Sequence, residues 1–109
     1  MNSAILFTSE SVGEGHPDKI ADQISDTVVD FVLARDPSGR VACETLIGPG
    51  YVVVAGEVGS STIDPKTLQT AIPPLVRAVL RRIGYSDEAS GFDVDNAQID
   101  LRLGMQSPE

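Results

Sequence analysis

Two β-rich stretches separated by a very short turn constrain the fold more than any other feature. Residues 41–47 and 51–58 are rich in β-branched side chains, and Gly48, Pro49 and Gly50 between them leave room only for an antiparallel hairpin. Apolar residues occupy both faces of both stretches, so we expect the hairpin to be covered on both sides. Glu44 and Glu57 are the exceptions. A carboxylate in a covered face needs a partner, and the alternative is that both lie at an edge in water.

Stretches with helical periodicity flank the hairpin. Apolar residues recur every three or four positions over residues 18–35, which predicts an amphipathic helix. Four aspartates fall on its opposite, solvent-facing side: Asp18, Asp22, Asp26 and Asp30. A second helix is predicted from Asp64 as N-cap, with Pro65 at the first helical position, to Gly84 as C-cap. Pro73 and Pro74 in its middle predict a kink or a restart.

Shorter strands at the two ends complete the pattern. Residues 4–7 form a short apolar run followed by a predicted loop, which is typical of a strand. Residues 97–103 alternate between apolar and polar and predict a last strand, and residues 104–109 are typical of a loop. The order β-α-β-β-α-β predicts an α+β fold, a two-layer domain with a four-stranded mixed sheet and two helices. A chain of 109 residues suits a single domain over residues 1–109.

Charge and cysteine content narrow the partners. Against 16 Asp and Glu the chain has 8 Lys and Arg, and the net charge of −8 argues against binding nucleic acid or an anionic membrane. Cys43 is the single cysteine, so no internal disulfide forms, and we expect it to fill space in the core. No apolar run approaches the roughly 20 residues of a membrane span, and no signal-peptide pattern is present. We therefore expect a cytoplasmic location.

The segment before the first helix gathers most of the residues that could carry chemistry. It is glycine-rich and joins a strand to a helix N-terminus, where free N–H groups and the helix dipole favour an anion. Its carboxylates are hard oxygen ligands suited to Mg²⁺, and it holds the chain's single histidine. These residues are Glu10, Glu14, His16 and Asp18. The segment matches neither the dinucleotide-binding nor the P-loop motif, so a capped surface loop is an equally valid interpretation.

The same segment resembles a known family. FTSESVGEGHPDKI at residues 7–20, followed by DQISD at 22–26, resembles the N-terminal signature of S-adenosylmethionine synthetases, also called methionine adenosyltransferases. Further similarities follow in chain order: DP at 36–37, VACET at 41–45, GE at 56–57, IGY at 83–85, GFD at 91–93 and QSP at 106–108. Together they extend over nearly the whole chain.

The resemblance implies an enzyme in which the methionine sulfur attacks the 5′ carbon of ATP and expels triphosphate, which is then hydrolysed to pyrophosphate and phosphate. By similarity, His16 is the catalytic histidine that contacts ATP at the breaking bond. Asp18 resembles a Mg²⁺ ligand, as Glu10 does in part of the family, and Glu44 resembles the glutamate of a K⁺ site.

The methionine end of the site and the assembly are implied in the same way. Glu57 and Gln106 resemble residues that bind L-methionine, Glu57 through the ammonium group, and Gln106 opens a mobile loop that gates the site. The resemblance further implies a homo-oligomer with its active site between subunits.

The chain departs from the family in length and in two local features. Many relatives have Lys-Thr-Gly where this chain has Gly48, Pro49 and Gly50, and Pro73 and Pro74 are unusual. Family members carry three similar domains, so we expect this chain to be the N-terminal part, without the central and C-terminal domains, and to be inactive alone. The alternatives are a stand-alone, non-catalytic interaction module of the same fold and a generic binder of Mg²⁺-nucleotide.

Overall fold

The computed structural model describes residues 16–84 and 94–106, with side chains from Lys19 onward. Five elements follow one another: α1 (His16–Arg35), β1 (Arg40–Gly48), β2 (Tyr51–Gly59), α2 (Pro65–Ile83) and β3 (Gln98–Gln106). β2 is the central strand and pairs antiparallel with β1 and parallel with β3. The α+β class, the two helices and the hairpin are confirmed.

The four-stranded sheet is wrong. The sheet formed by the described residues has three strands, in the order β1-β2-β3. The prediction counted residues 4–7 as a strand, and these lie outside the described residues. A run of four apolar residues carries no information about a pairing partner, so the pattern alone does not establish a fourth strand.

The last strand is longer than its sequence pattern predicts. Alternation ends at Leu103, but pairing with β2 continues from Tyr51↔Gln98 to Gly59↔Gln106. The prediction of a loop from residue 104 is therefore wrong for residues 104–106, because hydrogen bonding to β2 keeps the backbone extended past the end of the apolar pattern. Gln106 is the last strand residue, and the predicted gating loop beyond it, residues 107–109, lies outside the described residues.

The caps of α2 form as predicted. The Asp64 carboxylate accepts a hydrogen bond from the Thr67 N–H at 2.8 Å, and Gly84 closes the helix in the left-handed conformation at φ 78°. The predicted restart is wrong, since one helix runs through Pro73 and Pro74. Pro73 is half-buried and Pro74 is exposed. The carbonyls of the preceding turn that lose their N–H partners to these prolines therefore face water, and the buried stripe of the helix continues without a break. That stripe is Leu68, Ile72, Val76, Val79 and Leu80.

Both helices pack on the same face of the sheet, which we call the covered face. α1 contributes Ile20, Ile24, Val28 and Val32 to the core, and the sheet contributes Ile47, Val52, Val54 and Val58. On the opposite or open face, every residue of the three strands except Gly48, which lies against the Tyr51 ring, is exposed or half-buried, so coverage of the hairpin on both sides is wrong for the described chain. The β2-α2-β3 crossover places α2 on one side of the sheet, and α1 packs beside it.

The polar side of α1 is exposed as predicted at Asp22, Asp26 and Asp30. Facing water on this side, α1 buries only its opposite stripe. Within the described ranges, neither helix combines the length and hydropathy needed to cross a bilayer.

A buried polar cluster ties the end of α1 to the end of β2. Asp36, 8 % exposed, accepts hydrogen bonds from the Ser60 hydroxyl at 2.5 Å and from the Ser38 N–H at 3.0 Å. Ser60 Oγ in turn accepts from the N–H groups of Thr62 and Ile63 at 3.1 and 3.2 Å. The Ser60 hydroxyl and the Ser38 N–H hold the pKa of Asp36 below its usual value, although burial opposes them.

Candidate functional site

The N-terminus of α1 is the first part of the candidate site. α1 begins at His16, with Pro17 as its second residue, two positions earlier than the apolar periodicity indicates. The free backbone N–H groups of the first turn and the helix dipole make this end suitable for an anion. The side chains of His16 and Asp18, and all of Glu10, lie outside the described residues, so their grouping stays a prediction.

Two contacts fix the direction in which α1 runs over the sheet. Near its C-terminal end, Val32 Cγ1 lies 3.1 Å from where a side chain on Gly39 would begin, and the Gly59 carbonyl lies 3.4 Å from the same point. At mid-helix, the Ser25 and Thr45 hydroxyls are hydrogen-bonded at 2.8 Å. The helix therefore starts near the hairpin turn and ends near Gly59, the end of β2.

The second part of the candidate site is on the open face of the sheet. Glu44 pairs with Ala55, Glu57 pairs with Ala42 and Gly104, and Gly59 pairs with Gln106. Glu44, Glu57 and Gln106 therefore lie on one diagonal across β1, β2 and β3, with neighbours about 7–8 Å apart between Cα atoms. All three are exposed. The sequence predicted roles for each of them, and the pairing register brings them onto one surface.

The carboxylate of Glu57 lies against the backbone of β3. Its Oε1 and Oε2 are 3.0 and 3.1 Å from the point where a Cβ on Gly104 would stand. The carboxylate is thus exposed to solvent above the sheet and rests on the one residue of β3 that faces it without a side chain. No desolvation penalty of the kind expected for a covered face applies here, because the face is open.

Glu44 lies on β1, diagonally adjacent to Glu57 on β2. Across the sheet from it, beyond Ala55, is Arg102, whose Nε donates to Asp100 Oδ2 at 3.1 Å. Glu44 offers one hard oxygen donor group to a cation. Among the residues whose side chains are described, no group of three His, Cys, Asp or Glu is positioned to hold a metal ion.

The two parts of the site lie far apart within one chain. His16 is nine residues before Ser25, which is about 14 Å along the helix. Glu57 is three residues beyond Val54, the partner of Thr45, which is about 10 Å in the opposite direction. The start of α1 and Glu57 are therefore more than about 20 Å apart, and they lie on opposite faces of the sheet.

Cys43 belongs to the covered face and not to the candidate site. It is half-buried against the core, and its thiol contacts the Ser25 carbonyl at 3.9 Å. Burial raises the pKa of this thiol, which keeps it protonated and unreactive at neutral pH. The prediction that it fills space in the core is confirmed.

One residue of the open face was not singled out from the sequence. Gly104 is the contact surface for the Glu57 carboxylate, yet it falls in the segment that the pattern assigns to a loop. The available signal was a glycine within an extended, β-rich stretch, which often marks the close approach of another group. Only the register of β2 with β3 identifies that group as Glu57.

Comparison with known proteins gives this fold and site their family. A family model described as "S-adenosylmethionine synthetase, N-terminal domain" matches residues 4–108. An S-adenosylmethionine synthase from a Nitratiruptor species is 49 % identical over 109 residues, which is all of this chain and 27 % of the relative. One from Wolinella succinogenes is 50 % identical over 109 residues with the same coverage, and one from Helicobacter pylori is 45 % identical, again with that coverage.

The class that emerges is that of the N-terminal domain of S-adenosylmethionine synthetases. The chain belongs to the S-adenosylmethionine synthetase family, which confirms the resemblance seen at residues 7–20. It spans 27 % of the length of each of these three relatives.

Proposed function

We propose that this chain is the N-terminal part of an enzyme that makes S-adenosylmethionine from ATP and L-methionine, with release of phosphate and pyrophosphate. The observation that carries the proposal is the placement of Glu57 and Gln106 side by side on the open face, although a long stretch of chain separates them. Together with family membership, this supports a site for the amino acid on the sheet.

Glu57 and Gln106 would bind L-methionine. An exposed carboxylate accepts charge-assisted hydrogen bonds from an ammonium group, which are stronger than those between neutral groups. The amide of Gln106 supplies both a donor and an acceptor for the rest of the amino acid's polar end. Because both side chains are exposed in the described chain, a ligand can reach them from above the sheet.

The start of α1 would bind the nucleotide. N–H groups at a helix N-terminus favour phosphate oxygens, and His16 stabilises negative charge that develops on the leaving oxygen as the bond to the 5′ carbon breaks. Asp18 and Glu10 would hold Mg²⁺, and Glu44 would contribute to a K⁺ site. When bound, Mg²⁺ would supply the positive charge that a triphosphate requires and that a chain of net charge −8 lacks.

The separation of the two parts of the site supports a homo-oligomer with the active site between subunits. In methionine, the sulfur that attacks and the ammonium that Glu57 would bind are only a few covalent bonds apart. With Glu57 and the start of α1 more than about 20 Å apart, one chain cannot place both groups on the same substrate pair. His16 of one subunit and Glu57 of another would therefore complete one site in a cytoplasmic enzyme, with neither nucleic acid nor membrane as a partner.

A chimera tests the proposed activity. The 109 residues replace the corresponding N-terminal segment of the Wolinella succinogenes synthase, to which they are 50 % identical. We expect the chimera to form S-adenosylmethionine and the isolated 109-residue chain to form none. His16→Ala should lower kcat, and Glu57→Gln should raise KM for methionine while leaving KM for ATP unchanged. A folded, assembled chimera without activity would support the non-catalytic interaction module instead.

Subunit complementation tests the shared site. Chimeras carrying His16→Ala and Glu57→Gln are each impaired, but in mixed oligomers some sites receive an intact His16 from one subunit and an intact Glu57 from the other. We expect co-expression to restore part of the activity. The matched control is an oligomer in which every subunit carries both substitutions. No site in it has an intact His16 or Glu57, so it should regain no activity. Absence of restoration in verified mixed oligomers would contradict a site between subunits.

A further inference from the structure

Gly104 lies near the end of β3, and its lack of a side chain leaves room for the carboxylate of Glu57. An added Cβ would lie 3.0 and 3.1 Å from the two carboxylate oxygens of Glu57 and 3.3 Å from its Cδ. All three distances are shorter than ordinary van der Waals contact, so the carboxylate occupies the space that any other residue would fill. Both oxygens are at nearly the same distance, which means that the carboxylate lies across the glycine and does not touch it with one edge only.

The backbone itself does not require glycine at this position. Positive φ angles among the described glycines occur at Gly50, Gly56 and Gly84, and Gly104 is not among them. Gly104 lies within a regularly paired strand, where glycine is entropically unfavourable compared with alanine. The contact with Glu57 is therefore the feature of the described structure that a side chain here would disturb.

A second glycine on the same face shows that the contact is specific. Gly59 lies two residues after Glu57 on β2, and a Cβ there would meet only Arg40 Cβ, at 3.8 Å. Gly59 could therefore carry a methyl group at ordinary contact distance. The two glycines share a sheet, a face and an extended backbone, but of the two only Gly104 lies against a carboxylate.

We propose that Gly104 is a positioning residue for the amino-acid substrate. It lets the Glu57 carboxylate lie over β3, on the side of Gln106, so that both groups meet the polar end of methionine. A methyl group at position 104 would push the carboxylate by a few tenths of an ångström towards Ala42 on β1, away from Gln106. The inference rests on the proposed function, since it assumes that Glu57 binds the ammonium group.

The consequence for catalysis falls on methionine and not on ATP. Misplacement of a binding group by about 1 Å can cost about a hundredfold, so a shift of a few tenths of an ångström should cost up to about tenfold. Neither Gly104 nor Glu57 is among the residues proposed to bind ATP, which lie at the start of α1 of the other subunit. KM for ATP should therefore not change.

The test uses the same chimera with Gly104→Ala, and with Gly59→Ala as the matched control. We expect Gly104→Ala to raise KM for methionine by up to about tenfold with KM for ATP unchanged. Gly59→Ala adds the same methyl group to the same face, beside Gln106 but with no Glu57 atom within 4 Å, so it should raise KM for methionine less than Gly104→Ala does. Circular dichroism melting should show both variants folded. Glu57→Asp shortens the side chain by one methylene and withdraws the carboxylate from Gly104. In a chimera carrying both Glu57→Asp and Gly104→Ala, the increase in KM for methionine should therefore be smaller than the product of the two separate increases.

The outcomes separate this inference from the proposed function. If Glu57→Gln raises KM for methionine but Gly104→Ala does not, the positioning role is overturned and the methionine site stands. If Glu57→Gln itself has no effect, both are overturned. A reading independent of turnover is the ¹³C chemical shift of the Glu57 carboxyl in the 109-residue chain. It should move with Gly104→Ala and not with Gly59→Ala, and an unmoved signal in both would also overturn the positioning role.

Discussion

The two faces of β2 differ in nearly every property although they belong to one strand. Val52, Val54 and Val58 are fully buried beneath the two helices. Between them, Val53 and Ala55 are half-buried and Glu57 is exposed on the open face. Stability and candidate chemistry are thus separated by the two-residue period of the strand, and a substitution should affect one or the other according to the face on which it lies.

The covered face should show the largest loss of stability. Ile24 on α1 is fully buried, so Ile24→Ala removes apolar contacts and leaves a cavity. We expect the free energy of unfolding to fall by about 2–5 kcal/mol, measured by urea denaturation. Leu33→Ala on the same helix, where the side chain is 39 % exposed, is the matched control and should change stability by less than about 0.5 kcal/mol. Equal losses for the two variants would contradict the described packing of α1.

Gly56→Ala tests a position next to Glu57 where the backbone of β1 leaves no room for a side chain. Gly56 has φ 148°, and a Cβ there would come within 2.0 Å of the Ala42 carbonyl oxygen. Since the strand must shift to accept alanine, we expect a loss of about 1–3 kcal/mol in the free energy of unfolding. The shift also moves Glu57, so KM for methionine should rise in the chimera. Gly59→Ala provides the comparison, and equal stability of the two variants would contradict the expected shift of the strand.

The Asp36 cluster should give a pH-dependent effect of intermediate size. Hydrogen bonds from Ser60 and Ser38 lower the pKa of Asp36 in the folded chain, so its contribution is present at neutral pH and is lost as pH falls below about 4 through the folded pKa. Asp36→Asn should therefore destabilise the chain at pH 7, and the difference from the parent should shrink at pH 3. Urea midpoints at the two pH values measure this. Asp30→Asn, exposed on α1, should have no effect at neutral pH, and a difference for Asp36→Asn that persists undiminished in acid would contradict the linkage.

The open face should show the smallest effect on stability. Glu44 is exposed on β1, so Glu44→Gln should leave the melting temperature within experimental error. In the chimera the same substitution should weaken activation by K⁺, measured by titrating KCl in a sodium buffer. If stability fell as it does for Ile24→Ala, the separation between the two faces would not hold.

Local chemistry accounts for the parts of the fold that the sequence predicts well. Asp64 and Gly84 act as caps through contacts within one turn of α2, and the hairpin follows from the short connection at residues 48–50. The length of β3 and the continuity of α2 through Pro73 and Pro74 are decided by distant partners, respectively β2 and the buried core. No local pattern contains that information.

The candidate site divides in the same way. The family signature predicts Glu57 and Gln106 as a pair, but their contact surface at Gly104 depends on a parallel register between strands that are distant in the chain. The separation between the start of α1 and Glu57 is a three-dimensional distance, fixed by contacts such as Ser25 with Thr45. Residue types and spacing alone do not contain it.

The mixed sheet has a consequence for the order of folding. β1 and β2 are joined by a tight turn and should pair early, whereas β3 is separated from β2 by α2 and should pair later, because contacts between residues distant in sequence form more slowly. Its parallel pairing closes a long loop, and the entropy of that closure is lost before the contacts form. We therefore expect Glu57 to gain Gly104 and Gln106, its neighbours in the folded chain, in a late step. A chain stalled before that step would already have its hairpin and α1 but no site for the amino acid, so amino-acid binding would report completed folding.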